Sequence, residues 1–405
     1  MKQPFALKHK SPDGETRNYT TLVCLAICIA FAAFLALHTL LFFVVPDKAI
    51  SENESRTLQQ KPKLTLSAVT DGSYMKQFET YLTDQFPNRD GLISFHSFFA
   101  SLLGQREENG VYLGKRGFLF EAQTPLDEER LQKTTDAINA LMQQQKHAKC
   151  AMILAPNSTY VLKKYLPYRL KMDDQKQQLT QVKNALQGEK FSWISVLKSY
   201  EKVEDPTTLY YHTDHHWTTR AALRAFLALS SKWELGAKEK HFTTAAVSKS
   251  FSGTLAASYG ERRIKDVLEI CVPKHSEGTY TVTYESQARV TASVFETDKL
   301  EQRNQYEVFL GGNYDKVVIQ TLAETEDTLL LFKDSYANCL IPMLTPYFSK
   351  IVIIDPRYFS DSLQNVLDDY DFTHILFVYN LNTFLADKSI AGVWQAETIE
   401  KKRPQ

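Results

Sequence analysis

Two short segments carry residue types that could perform nucleophilic chemistry. The first, Tyr210 to Ala222, reads YYHTDHHWTTRAA and packs three histidines and one aspartate into five positions, His212 to His216. In an extended chain, side chains two apart share a face, so Asp214 and His216 lie together while His215 points away. A carboxylate that accepts an imidazole Nδ1–H fixes the tautomer and leaves Nε2 free as a base. The second segment, Thr328 to Leu344, reads TLLLFKDSYANCLIPML: an apolar strand, a tight Lys-Asp-Ser turn, then a helix. Ser335 then stands at the C-terminal edge of a sheet, where ligands gather in open α/β folds. Its own backbone N–H and that of Tyr336 fall at the helix start, a natural place for a developing oxyanion. Each feature has an ordinary alternative, since serine caps helices very commonly and histidines at a strand end can bond nearby carbonyls. Taken together, they supply a nucleophile, a base and an orienting carboxylate.

The same cluster admits a metal reading, with His212, Asp214, His215 and His216 as ligands. On a strand adjacent His215 and His216 would point in opposite directions, so the four ligands divide between two faces and make a weak site. No HExxH segment lies elsewhere in the chain, so no metal and no cofactor is expected. Two further apolar runs end in polar residues at the same predicted edge: Asp355, Arg357 and Tyr358 after KIVIID, and Tyr379 and Asn380 after THILFV. Gly311, Gly312 and Asn313 suit a turn with positive φ at glycine as well as they suit an oxyanion role.

Positioning these residues requires an alternation of strands and helices. Strands are expected at CAMILAPN (150–157), FSWISV, TLYYHT, KVVIQT, TLLLFKDS, KIVIIDP and THILFVYN. Several are continuously apolar, the mark of central strands covered on both faces. Amphipathic helices are expected at DEERLQKTTDAINALMQQQKH, at QKQQLTQVKNALQ (175–187) and at WTTRAALRAFLALS. NGVYLGKRGFLFE (109–121) alternates around Gly114 and Gly117 as a β-hairpin does. The reading is an α/β domain with a parallel sheet and flanking helices over 109–405, carrying a less regular β-rich insertion at about 236–310.

The 47 basic and 47 acidic residues balance, so no electrostatic case exists for a nucleic-acid partner. Thr21 to Val45 is 25 residues without a formal charge, more than the roughly 20 needed to cross a bilayer core. Lys2, Lys8, Lys10 and Arg17 precede it and place residues 1–20 in the cytoplasm, with the 21–45 helix as an uncleaved single-pass anchor. Residues 46–108 read as a polar linker followed by juxtamembrane helices, with a Phe-Pro-Asn-Arg-Asp-Gly break between two helical runs. Cys150, Cys271 and Cys339 show no CxxC spacing and are expected to be buried small hydrophobes.

The TDHHW segment resembles the namesake motif of the DHHW family of extracytoplasmic bacterial proteins. FLGGNY (309–314), KDSYANCLIPMLTPYFSKIVIIDPRYF (333–359) and NGVYLGKRGFLFE resemble its other blocks. That family is similar in turn to the SGNH-hydrolase-like domains of alginate O-acetylation proteins. The resemblance implies Ser335 as nucleophile, His216 as general base and Asp214 as its orienter. It implies a site role for Arg357, and one for Tyr379 or Asn380, and leaves His212 and His215 as structural residues. Lys333 stands where an SGNH enzyme has glycine. The function implied is a membrane-anchored, extracytoplasmic O-acetyltransferase or acetylesterase acting on a cell-surface polysaccharide, with a membrane-bound O-acyltransferase as acetyl supplier. The alternative is a non-catalytic binding or assembly subunit of a polysaccharide modification or export complex.

Overall fold

The computed structural model describes residues 13–51, 56–168, 170, 172–274 and 280–393. Lys2, Lys8 and Lys10 of the expected cytoplasmic tail lie outside the described residues, as does the side chain of Arg17. The chain divides into two compact units, residues 1–51 with 55–93, and residues 52–54 with 94–405. The first contains the helix Asp13–Val44, whose Thr21–Val44 stretch has a mean hydropathy of 2.5 and none of it buried. By length and composition this helix can cross a membrane. The helix Ser73–Asp84 follows, and the expected Phe-Pro-Asn break separates it from the next helix, Arg89–Leu102.

The second unit is built on a mixed sheet. In chain order its described strands of three or more residues are β1 (Val111–Leu113), β2 (Leu119–Glu121), β3 (Lys149–Ala155), β4 (Phe191–Ile194), β5 (Phe242–Phe251), β6 (Asp266–Pro273), β7 (Tyr280–Tyr284), β8 (Arg289–Thr291), β9 (Lys316–Thr321), β10 (Thr328–Lys333), β11 (Lys350–Ile354) and β12 (His374–Asn380). Eight of them form one sheet in the order β8-β7-β9-β11-β10-β12-β3-β4. Neighbours from β11 to β4 are parallel, while β7, β8 and β9 continue the sheet antiparallel. The parallel core confirms the α/β reading. The insertion adds to it in a way its sequence did not reveal, since β7 and β8 join the main sheet.

Burial explains the apolar runs. All seven residues of β12 are buried, as are Leu329 to Lys333 of β10, because helices cover both faces of these central strands. The expected helices form over Glu128–Gln144, Gln175–Ala185 and Thr219–Trp233. Asp127, Asp174 and Thr218 cap them by accepting backbone N–H bonds. The 109–121 hairpin is β1 and β2, joined through a turn at Lys115–Gly117 and extended by Glu107–Glu108.

Two expectations fail for local reasons. TLYYHT is not a strand; only a Tyr210–Trp217 bridge forms there. The backbone N–H groups of His212 and Thr213 donate instead to the Asp266 carboxylate, at 3.0 and 2.8 Å, so a side chain replaces the ladder. The expected helix after Ser335 is a single 3-10 turn, Ser335–Ala337, followed by a short helix at Ile341–Leu344. Pro342 has no N–H to return to Asn338, so one continuous α-helix cannot run through this stretch.

Candidate active site

Ser335 follows β10 at the C-terminal edge of the sheet, and it is the one residue between Leu329 and Thr345 that is not buried. Its Oγ lies 2.8 Å from His216 Nε2. On the far side of that ring, Nδ1 lies 2.5 Å from Asp214 Oδ1, which also accepts the His216 backbone N–H at 3.0 Å. Asp214 Oδ2 accepts from the Thr254 backbone N–H at 2.9 Å and from its hydroxyl at 3.2 Å. With four donors on an acceptor-only group, Asp214 is ionised. Burial works to raise its pKa, but the His216 and His215 imidazoles and these bonds hold it well below the usual carboxylate range. The His216 proton therefore sits on Nδ1, and Nε2 accepts the Ser335 hydroxyl hydrogen.

Much of what holds this arrangement comes from the 236–310 insertion. Gly253 donates its N–H to Thr213 Oγ1 at 3.1 Å and lies so close to Asp214 that an added Cβ would meet Asp214 Cβ and Oδ2 at 2.2 Å. Asp266 collects four donors from His212 and Thr213. The Tyr306 ring stacks on His216 at 3.8 Å between centroids. Trp217 Nε1–H donates to the Tyr336 carbonyl at 2.9 Å, pinning the histidine segment to the serine turn. Composition gave no sign of these supports. A Gly-Thr pair and a lone aspartate are common in loops, and only the crossing of the chain gives them partners.

The other residues singled out from sequence are placed as follows. The Tyr336 N–H donates to Asp334 Oδ1 at 2.9 Å and is not available to an oxyanion, whereas the Ser335 N–H has no acceptor among the described residues. Asp334 also accepts the Asn380 N–H at 2.8 Å, tying the Ser335 turn to the end of β12. Asn380 is buried and caps the helix Leu381–Ala386. Tyr379 is fully buried in the core, its hydroxyl without a partner among the described residues, and it is not brought to the triad. Arg357 forms a two-pronged pair with buried Asp355, at 2.8 and 2.6 Å, and this pair raises its pKa against the opposing effect of burial. Tyr358 is exposed.

Lys333, in the position of the missing glycine, is buried beside them. Its Nζ donates to Asn313 and Asn338 Oδ1, both at 2.9 Å, and lies 3.5 Å from Asp355. Burial lowers its pKa, against the pull of Asp355. Leu310, Gly311 and Gly312 all have positive φ, so this motif is a turn that delivers Asn313 to the ammonium.

Asp214, His215 and His216 present ligand atoms within 4.8 Å of one another and could hold a metal ion by distance. His212 is not among them: its ring stacks on Phe118 and bonds Asp266 at 3.0 Å. The Asp214 and His216 atoms already bond to one another, to Thr254 and to Ser335, which suits proton transfer better than metal ligation.

The fold and this geometry define an SGNH-like α/β domain. A family model described as SGNH hydrolase-like domain, acetyltransferase AlgX, matches residues 111–313, half of the chain, and the chain belongs to that family. The matched stretch holds Asp214 and His216 and ends before Ser335. A DHHW family protein from Eubacterium siraeum superimposes with a TM-score of 0.59 at 19% identity, over 70% of this chain and 95% of that one. PatB1 of Bacillus cereus, solved with a sulfonyl adduct, gives a TM-score of 0.59 at 18% identity, over 69% of this chain and 98% of its own. At these identities the likeness is one of fold. Among curated proteins no match is found.

Proposed function

We propose that this chain is an O-acetyltransferase or acetylesterase that works through an acyl-enzyme on Ser335, with its 109–405 domain outside the cytoplasm and anchored by the 21–45 helix. The observation that carries this reading is the unbroken line from Ser335 Oγ through His216 to Asp214, ending on an accessible serine in a buried stretch. The Ser335 proton passes to His216 Nε2 as Oγ attacks the acetyl carbonyl carbon. The tetrahedral oxygen is received by the Ser335 N–H. His216 returns the proton to the leaving oxygen as the donor's C–O bond breaks. A hydroxyl then attacks the acetyl carbon, loses its proton to His216 and frees Ser335. Membership of an acetyltransferase family supports acetyl as the group moved. A cell-surface polysaccharide as acceptor, and a membrane-bound O-acyltransferase as supplier, follow from the resemblance of the motifs to polysaccharide-acetylation proteins.

The test uses the full chain in detergent micelles with p-nitrophenyl acetate, comparing wild type with Ser335→Ala, with and without chelator. Turnover that survives chelator and vanishes with Ser335→Ala, together with an acetyl group found on Ser335, supports the reading. An inert wild type that also takes up no sulfonyl fluoride at Ser335 would make the protein a binding or assembly subunit.

A further inference from the structure

The NGVYLGKRGFLFE block ends on Glu121, a residue that the chemistry above leaves unused. Its carboxyl lies at the end of β2, where two asparagines from the edge of the main sheet converge on it. Asn157, after β3, and Asn382, after β12, both donate their amide Nδ2 to Glu121 Oε1, the second at 3.1 Å. Gln175 holds Asn157 from both sides, at 2.9 and 2.8 Å, and Thr124 donates its N–H to Asn382 Oδ1 at 2.9 Å. One carboxyl oxygen is thus locked, while no donor among the described residues reaches Oε2.

His215 lies near enough to Glu121 for the two side chains to act on each other electrostatically. Thr254 has one hydroxyl hydrogen and gives it to Asp214, so its oxygen accepts from His215 Nδ1–H at 2.7 Å. The Nε2 lone pair of His215 is therefore exposed and has no partner among the described residues. The His215 ring lies 3.9 Å from that of His216, centroid to centroid. Glu121 and His215 act on each other electrostatically, and Glu121 acts on Tyr336, next to the nucleophile. Both side chains are half-buried and keep accessible surface. Burial pushes the Glu121 carboxyl up toward its protonated form and the His215 imidazole toward neutral. A neutral acid beside an imidazole lone pair is the complement of a hydroxyl, which accepts from one and donates to the other.

We infer that Glu121 and His215 form a subsite for the second hydroxyl of a vicinal-diol acceptor, such as a sugar ring, while its neighbouring hydroxyl attacks the acetyl group on Ser335. This rests on the acyl-enzyme reading given above. The attacking hydroxyl gives its proton to His216 Nε2, and its oxygen bonds the acetyl carbon. The bond from that carbon to Ser335 Oγ breaks, and Oγ takes the proton back from His216. The second hydroxyl is not consumed; it holds the ring so that the two adjacent imidazoles meet two adjacent hydroxyls.

The experiment gives the full-length protein p-nitrophenyl acetate with methyl glucoside and ethanol as competing acceptors, and measures the ratio of acetylated products. Glu121→Leu, which removes the donor, and His215→Gln should each lower the sugar-to-ethanol ratio by about tenfold, the size of one good hydrogen bond. Near-UV circular dichroism checks that each variant is folded; should Glu121→Leu not fold, His215→Gln decides alone. A ratio unchanged in the folded variants, with acetyl present on Ser335, overturns the subsite and leaves the enzyme reading standing. A wild type that neither turns over the ester nor takes up a sulfonyl fluoride at Ser335 overturns both.

Discussion

Gly253→Ala tests whether the insertion holds the triad in register. Gly253 has φ −85°, a conformation open to any residue, so the substitution carries no backbone strain. Its cost is entirely steric. The new methyl would lie 2.2 Å from both Asp214 Cβ and Oδ2, where ordinary contact begins near 3.4 Å, so about 1.2 Å of separation must be recovered. Asp214 is buried and carries four donors, and the Gly253 N–H is itself bonded to Thr213, so neither side moves freely. The easiest relief swings the carboxylate off His216 Nδ1. A displacement of roughly 1 Å in a reacting constellation lowers the rate about 10²-fold, and loss of the orienting aspartate altogether about 10⁴-fold. The expected fall in kcat for p-nitrophenyl acetate therefore lies between these limits, about 2.7 to 5.4 kcal/mol of barrier. Crowding a packed site should also remove about 1–3 kcal/mol of stability, read by urea unfolding. A folded Gly253→Ala with kcat within threefold of wild type would refute the reasoning, because Asp214 would then not need the position it occupies.

Other expectations follow from the same geometry. Ser335→Ala, His216→Ala and Asp214→Ala should each remove most turnover, and the double variants little more, because the three act as a unit; additive losses in kcat would show that they do not. Asp266→Ala should lower urea stability by about 3 kcal/mol or more, since it strips partners from two backbone N–H groups, a hydroxyl and an imidazole, whereas a change under 1 kcal/mol would show that the loop holds itself. His374 is buried against Trp233 and Phe348, and burial brings its pKa down to about 4. The unfolded chain binds this proton first, so the stability is fully present above about pH 6.5 and is lost as pH falls toward 4. His374→Phe should therefore remove about 2 kcal/mol of the wild type's destabilisation between pH 7 and pH 5, and equal pH slopes in the two proteins would contradict this.

The sequence alone determined the residue types and the pieces of the fold. Asp214 and His216 two apart, a serine after a continuously apolar strand, and helices with capping residues are all local patterns, and local patterns are what periodicity and turn chemistry record. The 24-residue apolar stretch in the first helix is legible for the same reason. Only the tertiary structure decided that Ser335 meets His216 across 119 residues of chain, since a hydrogen bond of 2.8 Å depends on how β10 and the histidine segment cross. It decided too that Gly253, Thr254, Asp266 and Tyr306, unremarkable in a stretch read as an irregular insertion, hold the Asp214–His216 segment from outside the sheet. It also turned Tyr379 into core and gave the Tyr336 N–H to Asp334. The physical reason is that hydrogen-bond partners and steric limits are set by distance in space. A sequence specifies which groups are available, and long-range packing chooses which of them touch.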